Sequence, residues 1–380
     1  MDSQIKIAFL IRSLEYGGAE RQLVTLVKGM DKARFEIAVF YFYGGGALEA
    51  ELQNSQVKTI CLQKRDRWDI FGFLSQLLHH LQQFQPDILH GYLSTSNLIA
   101  LFLKPFLPKT RIFWGVRASN LDLSQYDWFA RLNFQLECLL SKFADRIIVN
   151  SQTGKEYHLQ QGFPARKMTV IPNGIDTSLF YPNIEARERI HLEWGIEDNK
   201  ILVGLVGRLD PIKDHVTFFQ AAKLLLSQRE NICFVCVGSG EESYQNKLQV
   251  FAEELGIAEN VIWTGMRNDM PAVYNALDIV TSCSLSEGFS NAIAEAMSCG
   301  VSCVVTDVGD SAWIVGDTGI IAPIKHPEKL CQGWLIYIAQ IQSQKFICQG
   351  EQARKRIINN FSITRLVDRT QSLIRRSVRD

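Results

Sequence analysis

The sequence predicts an α/β protein made of two doubly wound, parallel-sheet units of Rossmann type. Three observations carry this prediction. Short apolar segments alternate with amphipathic helical segments, which is the pattern of a parallel sheet with crossover helices. The alternation stops at a turn-like stretch, 173–182, and starts again at Ile201. The length of 380 residues gives each unit enough chain for its own core.

In the first half, the apolar segments have the length of strands, and the segments between them have helical periodicity. The spacing of Ile70, Leu74 and Leu77, for example, puts apolar side chains on one face of a helix. The predicted strands are 5–11, 35–41, 57–62, 88–90, 111–116, 146–150 and 170–171, and the predicted helices are 19–30, 68–84 and 128–143.

The second half repeats the arrangement. The predicted strands are 201–206, 232–237, 261–263, 279–282 and 301–306, and the predicted helices are 216–228, 242–255, 271–276 and 291–299, followed by a helical tail from 327. Gly300 stands where a helix commonly ends. In such sheets ligands bind at the carboxyl ends of the strands, so we expect two units that face each other across a ligand-binding cleft.

Composition excludes several classes of function. Lys and Arg together number 40, as do Asp and Glu, so the net charge gives no reason to expect a nucleic-acid partner. We expect neither a secretory signal nor a spanning helix, and the nine scattered cysteines fit a reduced, cytoplasmic protein. Cys233 and Cys236 have CxxC spacing, but residues three apart on a strand point to opposite faces and cannot share a metal ion.

In each half, one motif follows the first strand and favours an anionic ligand. Gly17 and Gly18 precede a helix, whose free N–H groups attract an anion; the alternative is a tight strand-to-helix turn. Arg208 and Lys213 follow the strand at 201–206, where a guanidinium fork and a point charge can converge on phosphate oxygens. The alternative for this second motif is a solvated surface loop.

Two further features offer polar contacts. The carboxylates of Glu287 and Glu295 can accept hydrogen bonds from sugar hydroxyls, although Glu295 can equally be a partner of the helix dipole. The backbone N–H groups of 289–291 lie at the start of the next helix, where free N–H groups favour a second anion. His90 is predicted at the end of a strand, where it can contact a sugar or be structural.

Together these motifs resemble glycosyltransferase family 4, the retaining enzymes of the GT-B fold. The resemblance covers nearly the whole chain. It depends on 17–21, 173–176, Gly207–Arg208–Leu209 with Lys213, and the spacing of Glu287 and Glu295. It implies an acceptor-side domain over 1–180, a nucleotide-sugar domain over 181–360, and a C-terminal helix, 361–380, that crosses back to the first domain.

The resemblance also implies roles for single residues. Arg208 and Lys213 would bind the donor diphosphate, and both are expected to be catalytic. Glu287 would contact the transferred sugar, and His90 resembles a family histidine near that sugar. Glu295 would hold the ribose. Further donor contacts are expected from Gly17, Gly18, Arg267, Phe289, Ser290 and Asn291. The stretch 115–117 resembles a family strand end on the acceptor side.

One position departs from the family pattern, and it concerns donor preference. Ser290 stands where the family often has glycine or proline, which leaves the preferred donor open.

The function expected from this resemblance is sugar transfer from a nucleoside-diphosphate sugar, taken as UDP-linked, to a saccharide or lipid-linked acceptor. The two cations would stabilise the leaving diphosphate, so we expect no metal and no other cofactor. Two alternatives stay open. One is a nucleotide-sugar epimerase of the same fold, which would need no acceptor. The other is a non-catalytic protein that binds nucleotide sugars.

The acceptor side carries basic and aromatic residues that can dock on the inner face of a membrane. Lys64, Arg65, Arg67 and Trp68 cluster before an apolar helix. The alternative is a core helix flanked by a solvated run of charges.

Overall fold

The structure is a computed structural model that describes residues 4–55, 57–66, 68–117, 128–341 and 343–379, without the side chains of 344–347. The chain divides into two compact units. Unit 1 consists of 1–174 and 363–380, and unit 2 consists of 175–362. The final segment therefore belongs to the same unit as the amino-terminal half.

In the described part of unit 1, seven parallel strands form one sheet in the order β3-β2-β1-β4-β5-β6-β7. The order reverses beside β1, which is typical of a doubly wound sheet. The strands are β1 (Ile5–Ile11), β2 (Phe35–Tyr41), β3 (Lys58–Cys61), β4 (Ile88–Tyr92), β5 (Arg111–Val116), β6 (Arg146–Val149) and β7 (Met168–Val170).

Helices cover both faces of this sheet because successive side chains of a buried strand point to opposite sides. Ile7 and Phe9 of β1 pack with the first, second and last helices of the unit, whereas Ala8 and Leu10 pack with the other helices. These helices are α1 (Gly18–Gly29), α2 (Glu49–Gln53), α3 (Phe71–Phe84), α4 (Ser94–Phe102), α5 (Trp128–Leu140), α6 (Gln152–Gln160) and α15 (Ile363–Arg379).

Unit 2 contains a six-stranded parallel sheet in the order β10-β9-β8-β11-β12-β13. The strands are β8 (Ile201–Val206), β9 (Ile232–Val237), β10 (Val261–Gly265), β11 (Ile279–Ser282), β12 (Ser302–Thr306) and β13 (Ile320–Ala322). Its helices are α7 (Ile184–Trp194), α8 (His215–Leu226), α9 (Glu242–Glu254), α10 (Met270–Ala276), α11 (Asn291–Ser298), α12 (Ser311–Val315), α13 (Pro327–Ile338) and α14 (Gln344–Phe361).

The two cysteines of the CxxC sequence lie on opposite faces of the second sheet, as predicted. Cys236 is buried with the core that α8 and α13 cover, and Cys233 packs against the core under α10, α11 and α14. The strand geometry keeps their thiols apart. In the portion of the chain that the structure describes, no group of three or more His, Cys, Asp or Glu side chains is arranged to hold a metal ion.

The structure also contains elements that periodicity did not predict. The segment that begins at Ser94 forms α4, although its sequence reads only as an apolar stretch. Helix α7 buries a single side chain fully, Ile190, so its apolar periodicity is weak. The helix predicted from 68 begins at Phe71, because Asp66 accepts hydrogen bonds from the backbone N–H groups of Trp68 and Asp69 in the preceding turn. No described helix is both long and apolar enough to cross a bilayer.

Candidate functional site

The centre of the candidate site in unit 2 is an ion pair between Lys213 and Glu287. The ammonium group of Lys213 binds Glu287 Oε1, and Ser284 Oγ donates a hydrogen bond of 2.8 Å to the same oxygen. The lysine side chain retains 21% of its exposure and the glutamate 13%. Glu287 Oε2 has no hydrogen-bond partner among the described residues. The pair is therefore desolvated but keeps one carboxylate oxygen available.

The turn after β8 sets the position of Lys213. Asp210 accepts a hydrogen bond from the Ile212 backbone N–H at 3.0 Å and begins a short 3-10 helix that ends at Lys213. Asp214 follows with φ +51°, and its side chain caps α8 by accepting from Thr217. Leu285 N–H donates to the Ile212 carbonyl at 2.8 Å, which joins this turn to the loop after β11. The carboxyl ends of neighbouring strands thus bring the lysine and the glutamate together.

Arg208 lies on the same turn but remains exposed. Its side chain is 78% exposed, and Nη2 is 3.7 Å from Asp210 Oδ2. An exposed pair at this distance contributes little to stability. The structure therefore joins Lys213 to Glu287 and leaves the Arg208 guanidinium in solvent, so the two predicted cations do not share a contact.

The loop that carries Glu287 is held by a close backbone approach. Gly309 has φ +56°, and a Cβ atom there would lie 2.3 Å from the Glu287 carbonyl oxygen. Asp310 N–H donates to the Gly288 carbonyl at 3.0 Å. Only glycine combines this conformation with this proximity at low cost. The backbone of the 287–290 loop is therefore fixed by the loop after β12.

Phe289, Ser290 and Asn291 open α11, as the sequence predicts. The Phe289 side chain, however, packs in the core with its ring centroid 5.4 Å from that of Phe361. The ring is therefore not free to contact a ligand, because it is more stable in the core than in water. Ser290 is buried and does not cap the helix through its side chain, and Asn291 is half-buried.

Glu295 lies one turn into α11 and contacts a buried tyrosine. Tyr274 Oη donates to Glu295 Oε2 at 3.0 Å. Burial and the adjacent carboxylate raise the pKa of Tyr274 well above its usual value, so the phenol stays a proton donor. The tyrosine hydroxyl orients one oxygen of Glu295.

Arg267, at the end of β10, is engaged by two carboxylates. Nε and Nη2 donate to Asp269, both at 2.9 Å, and Nη1 and Nη2 bind Glu193 of α7. These partners raise the pKa of Arg267 and lower those of Glu193 and Asp269. The guanidinium thus links α7 to the loop after β10, and it is already engaged at the position where a donor contact is predicted.

The glycines of unit 1 occupy the predicted place at the start of α1. Gly17 is the N-cap, and the Glu20 side chain folds over it, so a Cβ atom at Gly17 would lie 2.1 Å from Glu20 Oε2. A Cβ atom at Gly18 would meet nothing within 4 Å. Gly18 therefore presents open space at the helix N-terminus, whereas Gly17 lies beneath an acidic side chain.

The prediction that His90 ends a strand is wrong. β4 continues to Tyr92, and His90 is 1% exposed, with neither ring nitrogen hydrogen-bonded among the described residues. Its ring lies among aromatic side chains, 5.3 Å from Phe9 and 4.9 Å from Tyr92 between ring centroids. Burial, aided by the charge of Arg117, lowers the pKa of His90 to about 3. This environment keeps the imidazole neutral and away from solvent.

Comparison with known proteins identifies the family. Residues 16–179 match the family described as Glycosyltransferase Family 4, and residues 200–339 match Glycosyl transferases group 1. The chain belongs to the family 4 glycosyltransferases.

Relatives of this glycosyltransferase span its whole length. An Escherichia coli UDP-Gal:alpha-D-GlcNAc-diphosphoundecaprenol alpha-1,3-galactosyltransferase is 27% identical over 98% of this chain and 97% of its own. A Campylobacter jejuni GalNAc-alpha-(1->4)-GalNAc-alpha-(1->3)-diNAcBac-PP-undecaprenol alpha-1,4-N-acetyl-D-galactosaminyltransferase is 26% identical, over 94% and 92%. The fold is that of Anabaena HepE, solved with UDP, at a TM-score of 0.84 and 21% identity over 97% of this chain and 99% of HepE.

In the glycosyltransferase, Arg117 lies at the centre of a polar cluster at the carboxyl end of the unit 1 sheet. Arg117 donates from Nη2 to Tyr92 Oη at 2.8 Å and from Nη1 to Asn173 Oδ1 at 2.7 Å. Its guanidinium also lies over the Tyr92 ring. The resemblance of 115–117 to a family strand end pointed to this arginine. Its partners come from distant segments, and no sequence signal joins them.

The turn between β4 and α4 is strained, and hydrogen bonds to a side chain of α5 stabilise it. Leu93 has φ +70° and ψ +161°, a region that is unfavourable for a residue with a side chain. Asn97 Nδ2 donates to buried Glu137 of α5 at 2.7 Å, and Ser94 Oγ donates to the other carboxylate oxygen. Burial raises the pKa of Glu137, while these two hydrogen bonds oppose the shift. The buried carboxylate thus holds the strained turn in place.

Gln22 makes a buried structural contact that no sequence motif predicts. It lies one residue after the 17–21 motif and is buried. Its amide exchanges two hydrogen bonds with the backbone of Gly174, at 2.8 and 3.0 Å. Gly174 is the last residue of unit 1 before the chain enters unit 2, so Gln22 fixes the point at which the chain leaves the first unit.

Proposed function

We propose that this glycosyltransferase moves a sugar from UDP to a lipid-linked saccharide and retains the anomeric configuration. Two comparisons support the substrates. The Escherichia coli relative is named for a UDP-sugar donor and a diphosphoundecaprenol acceptor, and HepE was solved with UDP-glucose as well as UDP. The observation that carries the proposal is the Lys213–Glu287 pair at the carboxyl ends of β8 and β11.

The chemistry assigned to this pair follows from where charge develops. As the bond between sugar and diphosphate breaks, negative charge grows on the β-phosphate. A fixed ammonium group stabilises that charge more in the transition state than in the ground state. Lys213 supplies this group, Arg208 adds an exposed guanidinium, and Glu287 Oε2 can accept a hydrogen bond from a sugar hydroxyl. The departing phosphate then takes the proton of the acceptor hydroxyl on the same face of the sugar.

We also propose that the reaction needs no metal ion, because Lys213 and Arg208 would provide the positive charge. Purified protein should release UDP from UDP-sugars in the presence of a lipid-linked acceptor at the same rate with and without EDTA. A loss of activity in EDTA that Mg²⁺ or Mn²⁺ restores would contradict metal independence but would leave the transfer reaction in place.

The test of the transfer reaction is product formation with a panel of UDP-sugars and undecaprenol-diphosphate saccharides, followed by mass spectrometry. The expected product is the acceptor extended by one sugar, and the anomeric proton of that sugar reports the configuration. Turnover of the donor into a different nucleotide sugar without acceptor would contradict the proposal.

A lipid-linked acceptor requires access to a membrane surface, and unit 1 exposes large apolar side chains suited to such contact. Trp68 is 80% exposed, Phe71 90% and Trp128 73%. Trp128, Leu132 and Leu139 follow one another at helical spacing along α5, and all three are exposed. Large apolar side chains in water are costly, whereas aromatic rings are stable at the level of lipid headgroups.

We propose that these exposed side chains dock the protein peripherally on the inner face of an anionic membrane. Arg65 and Arg131 add exposed cationic side chains to the same helices and loops, while predicted Arg67 lies outside the described residues. Flotation with phosphatidylglycerol vesicles should recover the wild-type protein, and Phe71→Ser with Trp128→Ser should reduce the bound fraction severalfold. Leu192→Ser, an equally exposed apolar position in unit 2, is the control. Equal flotation of the double variant and the wild type would refute the assignment.

A further inference from the structure

A groove within unit 1 collects cationic side chains. It has a volume of about 510 Å³ and lies between β6, β7 and α15. This volume is within the range of about 300–1,000 Å³ that is usual for small-molecule sites. The charged and buried polar residues that line it are Arg146, Arg166, Asp368, Arg369, Arg376 and Ser377.

More cationic than anionic side chains line this groove, with four guanidinium groups and one carboxylate. Neither Arg166 nor Arg369 has a carboxylate within salt-bridge distance in the described part of the chain. Burial and neighbouring Arg365 lower the pKa of Arg369, as expected where like charges crowd together. The repulsion among these groups would be relieved by a bound anion.

The excess of positive charge continues around the last turns of α15. A second cavity of about 360 Å³ shares Arg376 with the groove and adds Arg375 and Arg379. Arg376 uses Nε to donate to the Ser372 carbonyl at 3.3 Å, which leaves its terminal nitrogens for a ligand. The positive charge therefore comes from arginines of α15 and from arginines at the start of β6 and just before β7.

A buried hydroxyl gives a second and independent indication of a ligand. Ser377 is 1% exposed, it lines the groove, and its Oγ has no hydrogen-bond partner among the described residues. Thr370, two turns earlier on the same helix, satisfies its own hydroxyl by donating to the Leu366 carbonyl at 2.8 Å. Buried hydroxyls in folded proteins nearly always have a partner. The missing partner of Ser377 fits an oxygen of a ligand in the groove.

We propose that this groove binds a phosphate-bearing ligand, with the arginine forks on its oxygens and Ser377 Oγ as an additional donor. Arginine suits such a ligand because its planar fork donates two parallel hydrogen bonds to one phosphate group. Several arginines around one groove favour a group with more than one negative charge. The phosphate can belong to a free polyphosphate or to a phospholipid headgroup, and both present the same chemistry to the protein.

Two binding experiments on the full-length protein distinguish these sources. In the first, pyrophosphate is titrated calorimetrically into a Lys213→Met, Arg208→Gln background, which removes both proposed diphosphate contacts in unit 2. In the second, the Phe71→Ser, Trp128→Ser variant, which lacks the aromatic side chains proposed above to dock on membranes, is floated with vesicles of phosphatidylcholine containing phosphatidylglycerol and with vesicles of phosphatidylcholine alone. Binding in the first experiment identifies a free phosphate ligand, and anionic-vesicle binding without pyrophosphate binding identifies a headgroup.

The variants make the assignment specific. Arg369→Gln with Arg376→Gln should weaken whichever binding is observed at least tenfold, and Ser377→Ala should weaken it severalfold. Lys223→Gln with Arg229→Gln removes the same charge from exposed positions in unit 2 and should leave binding unchanged. Absence of binding in both experiments would overturn the proposal. An equal loss in the control, or full binding in the arginine variant, would overturn it as well.

Discussion

Substituting Lys213 by methionine separates the chemical role of the ammonium group from its structural role. Methionine keeps most of the aliphatic stem, which lies over Gly207 at 3.3 Å from the position of a Cβ atom there. The charge that would oppose the developing negative charge of the leaving diphosphate is lost. Removal of one such donor typically costs about 2.7–4 kcal/mol of transition-state stabilisation, or roughly 10²–10³ in rate.

The same substitution also affects stability, because Glu287 loses a partner. The glutamate keeps the hydrogen bond from Ser284 at 2.8 Å. Breaking a fully buried pair costs about 3–5 kcal/mol, but this pair retains 21% and 13% of its exposure, so we expect a loss of about 1–3 kcal/mol. Adding Glu287→Gln removes the stranded charge and should restore much of the stability without restoring the rate.

The assay measures sugar transfer at saturating donor together with urea unfolding of the single and double variants. Lys223→Met, an exposed lysine on α8, controls for the loss of a charge and should change neither quantity. A rate within twofold of wild type for Lys213→Met would refute the role of the ammonium group. A double variant less stable than the single variant would refute the account of the pair.

Two other predictions concern burial and backbone geometry. His90 should make the protein less stable in acid: its pKa is about 3 when folded and about 6.5 when unfolded, so stability is full above pH 6.5 and falls by about 2 kcal/mol by pH 5. His90→Phe should reduce that pH dependence in urea titrations, exposed His79→Gln should not, and an unchanged pH profile of His90→Phe would contradict the assignment. Gly309→Ala should lower the free energy of unfolding by clearly more than the roughly 1–2 kcal/mol that an alanine in the left-handed conformation costs. It should also weaken UDP binding, because the added Cβ atom would overlap the Glu287 carbonyl. Gly256 has φ +70° and no neighbour within 4 Å of an added Cβ atom, so Gly256→Ala measures the conformational cost alone. An equal decrease in melting temperature for the two variants would exclude a steric contribution at Gly309.

Periodicity predicted many of the strands because burial on both faces of a parallel sheet imposes continuous apolar runs. The bounds of β1, β2, β5, β8, β9 and β11 agree with the prediction. It missed α7, whose single fully buried residue, Ile190, leaves almost no apolar signal. It ended β4 too early because Gly91 and Tyr92 do not continue an apolar run, although both are buried in the sheet.

For the site, the sequence by itself determined the positions of Lys213, Glu287 and Glu295. Glycine-containing turns after apolar strands must lie at the carboxyl edge of a parallel sheet. Only the tertiary structure decided which partners these side chains have. The pairing of Lys213 with Glu287, the burial of His90 and the use of Arg267 between Glu193 and Asp269 all join segments far apart in the chain. Strand and turn signals are local, whereas a side chain's partners and its exposure depend on how distant elements pack.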